Sequence, residues 1–186
     1  MDPALQSNTF LAEIIEATPD GETLLTCLQC GTCSGSCPSG PDMDYSPRKV
    51  FALIRAGERE KVMKSNTPWY CVSCYSCMVR CPKEIPITDI MYTLKNKAIA
   101  EKSYEDRDAP DWSRTFMGYV ENNGRSFELG LATRYHLTHN PLSKTNLASF
   151  GLGMLTKDRL SLFPEKIKGI KQLHAILNEA KNMENE

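Results

Sequence analysis

Cys27-Leu28-Gln29-Cys30-Gly31-Thr32-Cys33-Ser34-Gly35-Ser36-Cys37-Pro38 and Cys71-Val72-Ser73-Cys74-Tyr75-Ser76-Cys77-Met78-Val79-Arg80-Cys81-Pro82 are the two stretches that decide how this chain folds. Both fit C-x2-C-x2-C-x3-C-P, and every cysteine of the second lies 44 positions after its counterpart in the first. The two runs use all eight cysteines. Two residues between cysteines let a tight loop wrap a cubane, placing three thiolates on three iron corners while amide N–H groups face the sulfurs. The fourth corner comes from elsewhere, because the proline-marked turn after each triplet carries the chain away from its own cubane. The expected ligand sets are therefore crossed: Cys27, Cys30, Cys33 and Cys81 for one 4Fe-4S cluster, and Cys71, Cys74, Cys77 and Cys37 for the other. Crossing ties the halves together and holds the two cubanes close, as single-electron hopping requires.

Competing readings of the cysteines carry less. Structural zinc takes two C-x2-C pairs separated by a longer loop, not a triplet with a fourth Cys-Pro, repeated. Disulfides belong to oxidising compartments, whereas thiols in a cytoplasmic chain stay reduced. Gly31 and Gly35 are expected to relieve the backbone around the first cluster, with ordinary loop glycines the alternative. Val72, Ile85 and Ile87 are placed to keep water from the clusters, with plain core packing an equally good account.

Between the runs, Ser46-Pro47-Arg48-Lys49 predicts a helix with Ser46 as N-cap and Pro47 at its first position, running to about Ala56 and stopped by Gly57. Val50, Phe51, Leu53 and Ile54 form its apolar face. A helix here replaces the short hairpin connections of small bacterial ferredoxins, so the fold expected is mainly α: an alpha-helical ferredoxin-like two-cluster module with a C-terminal extension, part helical and part irregular. Ile87, Ile90, Met91, Leu94 and Ala98 predict another helix from a Thr88 cap, and Phe10, Leu11, Ile14 and Ile15 a short one near the start. The module is placed at residues 1–102. Charged, proline-containing Glu101 to Pro110 reads as a boundary, and residues 103–186 as an extension that packs on the module or on a partner protein. In it, Trp112, Phe116, Met117 and Val120 form a helical stripe ended by Gly124, and Ile167, Ile170, Leu173 and Leu177 mark a final helix. Residues 125–160 read as irregular.

The chain has 186 residues and 41% hydrophobic content, enough for one domain or two small ones with a modest core. Its formal charge of -1 gives no polyanion-binding surface, so neither nucleic acid nor anionic membrane is an expected partner. Each oxidised four-thiolate cubane adds about two negative charges, so the loaded protein is more acidic than its sequence. The first residues lack the basic-then-apolar pattern of a secretory signal, and no apolar run approaches membrane-spanning length, so a cytoplasmic location is expected. His136, His139 and His174 share no motif and are left out of the site. No phosphate loop, dinucleotide fingerprint or nucleophile elbow occurs.

From Leu25 to about Ala100 the chain resembles the iron-sulfur C subunit of the heterodisulfide reductase of methanogenic archaea, and the likeness extends beyond the cysteines. It is carried by the segment from Tyr45 to Gly57, by Trp69-Tyr70-Cys71-Val72-Ser73-Cys74-Tyr75-Ser76-Cys77 and by Ile87-Thr88-Asp89-Ile90-Met91. In the tail, Phe127-Glu128-Leu129-Gly130-Leu131 and Pro164-Glu165-Lys166-Ile167-Lys168-Gly169 are similar to the C-terminal part of that family, so that the resemblance extends over most of the chain. Iron-sulfur subunits of succinate and glycerol-3-phosphate dehydrogenases use similar helical modules. The resemblance implies a non-catalytic subunit that relays single electrons through two 4Fe-4S clusters. They pass from the flavin-containing A subunit, where bifurcation occurs, to the B subunit, which reduces the mixed disulfide of coenzymes M and B in methanogenesis. It also implies a hydrogenase or formate dehydrogenase in the larger soluble complex. The chemistry of the B subunit uses Cys-Cys-Gly motifs, and none occurs here. The alternatives are the relay of another dehydrogenase or reductase, a free ferredoxin-like carrier, and a thiol oxidoreductase working through cysteine pairs. A tail of about eighty residues is surplus to a diffusing carrier.

Overall fold

The computed structural model describes residues 9–105, 107–139, 152–154, 156–157 and 161–183. The fold is mainly α, with no β-strand among the described residues. It divides into two compact units, Met1–Asp106 and Arg107–Glu186.

In the first unit, helix α1 (Thr9–Glu16) buries Phe10, Leu11 and Ile14 and leads through a 3-10 turn at Gly21–Thr26 into the first cysteine run. The run closes with the short helix α2 (Thr32–Gly35). Helix α3 (Pro47–Arg55) starts where the sequence places it: Ser46 is the N-cap residue and Pro47 occupies the first turn, although the Ser46 hydroxyl makes no capping hydrogen bond. Its end is a Schellman motif, with the Gly57 N–H donating to Ile54 O and the Glu58 N–H to Leu53 O, both at 3.0 Å. Gly57 supplies the left-handed residue this motif needs, at φ 74. Helix α4 (Arg59–Lys64) follows, then the second run with its own short helix α5 (Ser76–Val79).

Helix α6 (Ile87–Glu101) begins two residues earlier than expected, with Pro86 rather than Thr88 as its N-cap. The Ile85-Pro86-Ile87 segment is buried, and the proline fixes the entry, so Thr88 lies inside the first turn with its side chain turned inward. Val50, Phe51 and Ile54 of α3, Val62 and Met63 of α4, and Ile90, Met91 and Leu94 of α6 meet α1 in one core, against which Cys27, Cys33, Cys71, Cys77 and Cys81 pack. The cysteine loops thus sit on an apolar floor. Buried Thr18, in the turn after α1, and Thr93 of α6 share a 2.9 Å hydroxyl contact, the Thr18 hydroxyl also reaching Ile14 O at 2.7 Å.

An ion network ties α1, α4 and α6 at the surface: Arg59 bridges Glu13 at 2.7 Å and Glu101 at 2.6 Å, while Lys97 reaches Glu13 at 3.1 Å. The hydrogen bond from Arg59, and next that from Lys97, hold the Glu13 carboxyl below the ordinary carboxylate range. A lowered folded-state value means the stabilisation is present above the unfolded value and is lost as pH falls through the folded one. We expect Glu13→Gln to weaken the fold near neutral pH and to flatten its loss below about pH 4.5. Urea midpoints across that range check this; parallel acid limbs in the two proteins would rule it out.

In the second unit, α7 (Asp108–Asn123) ends at Gly124, whose φ of 77 reverses the chain. The boundary between helices is therefore shorter than the Glu101–Pro110 stretch expected, since α6 includes Glu101 and α7 includes Pro110. Part of the irregular stretch is also helical, as α8 (Glu128–His139). The Ser126 hydroxyl bonds Glu128 at 2.7 Å at its start, and Leu131 is buried. Trp112 packs edge-on against Tyr135, and Tyr119 against Phe127. The last helix, α9, covers Ile170–Met183. Ile167 lies before it, its N–H bonded to Asn123 O at 2.9 Å and its side chain covering Gly124, where a Cβ would collide with it. His174 meets the Glu121 carbonyl at 2.9 Å, a structural role. The side chains of His136 and His139 lie outside the described residues.

Candidate metal centre

Two small pockets hold the cysteines. One, partly open to solvent, is lined by Cys27, Cys30, Cys33 and Cys81; the other, also partly open, by Cys37, Cys71, Cys74 and Cys77. Each pocket takes three thiols from one run and the fourth from the other. Ile87, 2% exposed, is the residue common to both linings and forms a shared wall.

The repeat in the sequence is also a repeat in the backbone. The residues on either side of the middle cysteine are left-handed in both loops: Gln29 and Gly31 at φ 56 and 84, Ser73 and Tyr75 at φ 54 and 60. These reversals wrap the loop around the pocket. Only one of the four is glycine, so the others store strain of about 1–2 kcal/mol each. Gly31 has the expected role; Gly35, with no positive φ and open space about it, does not. Helices α2 and α5 pack together, and the Arg80 guanidinium donates to the Ser36 hydroxyl at 3.3 Å. These two residues are themselves 44 apart, so equivalent positions of the repeat meet.

What carries Cys37 across is a clamp between the segment after the first run and the approach to the second. Asp44 and Asn66 exchange backbone-to-side-chain hydrogen bonds of 2.8 and 2.7 Å. The Thr67 hydroxyl bonds both the N–H and the carbonyl of Tyr45. Neighbouring Met43 and Pro47 line the pocket that Cys37 enters, whereas Arg48, the next residue of α3, lines the other.

The thiol environments follow the repeat. Exposed Cys30 has its pKa lowered, first by the Thr32 hydroxyl, which it meets at 3.4 Å; equivalent Cys74 has its pKa lowered by the Ser76 backbone and hydroxyl. Burial pushes Cys33 and Cys77 up, and Cys37 likewise. A cation reaches the carbonyl of each first cysteine: Arg55 donates to Cys27 O at 3.0 Å and Lys95 to Cys71 O at 3.3 Å. Val72 departs from its expected role. It lines the second pocket but is 65% exposed, like Leu28 at 64% in the same place of the first run, because the residue after the first cysteine points outward. Ile85 and Ile87 are buried, each 2% exposed.

These surroundings suit a cubane. A single tetrahedral zinc draws four sulfurs to about 2.3 Å from one point; here each set of four thiols lines a pocket together with apolar side chains. The buried Thr88 hydroxyl in the second lining faces the Cys77 thiol without a well-formed hydrogen bond, and cluster sulfur would supply an acceptor.

Residues 23–85 match the family model of the 4Fe-4S dicluster domain. Over its cluster-binding half the chain is similar to the C subunit of heterodisulfide reductase. It is 43% identical over 98 residues to an iron-sulfur C subunit of the CoB–CoM heterodisulfide reductase of Methanocaldococcus jannaschii, covering 50% of this chain and 52% of that one. It is 45% identical over 95 residues to the C2 subunit of the H2/formate-dependent CoB–CoM heterodisulfide, ferredoxin reductase of Methanococcus maripaludis, covering 48% and 51%. The C subunit of the H2-dependent reductase of Methanothermobacter marburgensis is 40% identical over 78 residues, 42% of either chain. The chain thus spans about half the length of the curated relatives it matches, and the matches cover 42–50% of this chain, where resemblance over most of it was expected. The shared dicluster domain and the eight cysteines support iron-sulfur clusters as cofactors and an electron-transfer role. No helix among the described residues is long and apolar enough to cross a membrane.

Sequence reasoning missed the residues around the thiols: Gln29, Thr32, Arg55, Thr88 and Lys95. The signal available was the register of the repeat, which pairs Thr32 with Ser76, a hydroxyl two residues after each middle cysteine.

Proposed function

We propose that this chain is the non-catalytic electron-transfer subunit of a heterodisulfide reductase complex. Cys27, Cys30, Cys33 and Cys81 hold one 4Fe-4S cluster and Cys71, Cys74, Cys77 and Cys37 the second. The observation that carries this reading is the pair of thiol-lined pockets, each drawing its fourth cysteine from the other run. When bound, the cubanes supply two one-electron couples. The protein fixes their separation through the crossed cysteines, keeps water from between them with Ile87, and leaves an outer edge of each pocket open beside Cys30 and Cys74. We place the chain, in the cytoplasm, between a flavin-containing A subunit as donor and a B subunit that reduces the heterodisulfide of coenzymes M and B. A hydrogenase or formate dehydrogenase supplies the larger complex. Similarity to C subunits of CoB–CoM heterodisulfide reductases, one of them H2/formate-dependent, supports this assignment. Residues 103–186 would meet a partner protein of the complex; the exposed stripe of Trp112, Phe116 and Met117 on α7 supports that placement.

The test is anaerobic iron and acid-labile sulfide analysis of the purified chain, with electron paramagnetic resonance after dithionite reduction. About eight iron and eight sulfide per chain, with two interacting reduced cubanes, is the expected result. Zinc, or little iron after anaerobic reconstitution, would return the cysteines to structural or thiol roles.

A further inference from the structure

We infer that the two sites differ in reduction potential in a fixed order: the site of Cys27, Cys30, Cys33 and Cys81 is the more easily reduced, and Arg48 and Lys83 make it so. The inference rests on the proposed cluster ligation and concerns the residues that surround it.

The repeat makes the comparison internal, because most features of one pocket have a partner in the other. Arg55 on the Cys27 carbonyl is matched by Lys95 on the Cys71 carbonyl. Thr32 beside Cys30 is matched by Ser76 beside Cys74. The Gln29 amide donates to the Cys27 sulfur at 3.4 Å. Its counterpart Ser73 instead meets the Tyr92 hydroxyl at 2.8 Å, but the inward-facing Thr88 hydroxyl gives the second pocket a donor in compensation. What remains unmatched is charge. Arg48 and Lys83 line the first pocket, while every side chain lining the second other than its cysteines is uncharged. A reduced cluster carries one more negative charge than an oxidised one, so nearby cations favour reduction, and net charge around a cluster is among the terms that set its potential. Both cations are exposed, which screens them and limits the effect.

The order gives the wire a direction. One electron taken up at the Cys71 site from a low-potential one-electron donor moves downhill to the Cys27 site. There it is delivered to a one-electron acceptor of higher potential, returning both sites to their oxidised state.

The experiment is a redox titration of the loaded chain followed by electron paramagnetic resonance, on wild type and on the double variant Arg48→Gln, Lys83→Gln, with iron and sulfide measured on both. Two distinct couples are expected in the wild type. In the variant the higher of the two should fall, with the electron-sharing ratio between the sites changing about tenfold, or 59 mV for one electron, while the lower stays in place. Movement of the lower couple, of both equally, or of neither, with full iron content, overturns this inference and leaves the cluster ligation intact. Absence of clusters in the wild type overturns the proposed function, and this inference with it.

Discussion

The double variant Cys27→Ala, Cys81→Ala is expected to keep one of its two reducible cubanes intact, whereas Cys71→Ala, Cys81→Ala keeps neither. The reasoning uses only which thiols share a pocket. Cys81 lies four residues after Cys77 in the chain but lines the pocket of Cys27, Cys30 and Cys33. Removing Cys27 and Cys81 therefore damages one site twice, and removing Cys71 and Cys81 damages each site once. Effects at residues of one unit are not additive, so the pair in one pocket should cost little more than either single change. Iron content and the spin-coupled signal of the reduced protein read the outcome. The reverse pattern, with one intact cubane surviving in Cys71→Ala, Cys81→Ala, would establish that each run closes its own site.

A second large effect is expected at Ile87. This side chain is 2% exposed, opens α6 and forms the wall between the two pockets. Truncation to alanine removes buried methyl groups and leaves a cavity, costing about 2–5 kcal/mol in stability. Because the cavity adjoins both sites, it should also admit water to both, so Ile87→Ala should lose the visible absorbance of both clusters at lower urea concentration than wild type, in a single step. Ile90→Ala, in the same core but absent from either lining, is the comparison: it should cost similar stability while its clusters bleach only when the chain unfolds. Equal behaviour of the two variants would deny Ile87 any role beyond packing.

The contrast between these residues shows what the sequence makes legible. The pairing of each cysteine triplet with the fourth cysteine of the other run, seen in the pocket linings, was the arrangement expected from the repeated C-x2-C-x2-C-x3-C-P run. Helix α3 was readable from Ser46, Pro47 and Gly57, whose backbone preferences are local. Thr88 was misread for the opposite reason. Its hydroxyl beside an apolar run looks like a cap, but the buried Ile85-Pro86-Ile87 segment sets the helix start, and burial is not a local property. Helix α8 was missed because Gly130 and scattered polar residues weaken its pattern, while packing of Phe127 on Tyr119 at its start is a tertiary contact. The left-handed Gln29, Ser73 and Tyr75 were equally out of reach, since none is a residue type that announces a positive φ. The charge difference between the pockets arises from Arg48 on α3 and Lys83 after the second run, which only the fold brings to one place.

The exchange of Cys37 and Cys81 also has a consequence for biosynthesis. A ribosome making this chain completes the first triplet early, yet the thiols of that triplet gain their fourth companion only when Cys81 has been added, and the opposite pocket is complete four residues sooner, at Cys77. Under the proposed ligation both sites would mature almost together, after the connecting helix has been made, and an interrupted chain released between the runs would carry three adjacent thiols and a stray fourth with no complete site to put metal in. Loading would then be reserved for chains whose two halves have both been synthesised and have found each other.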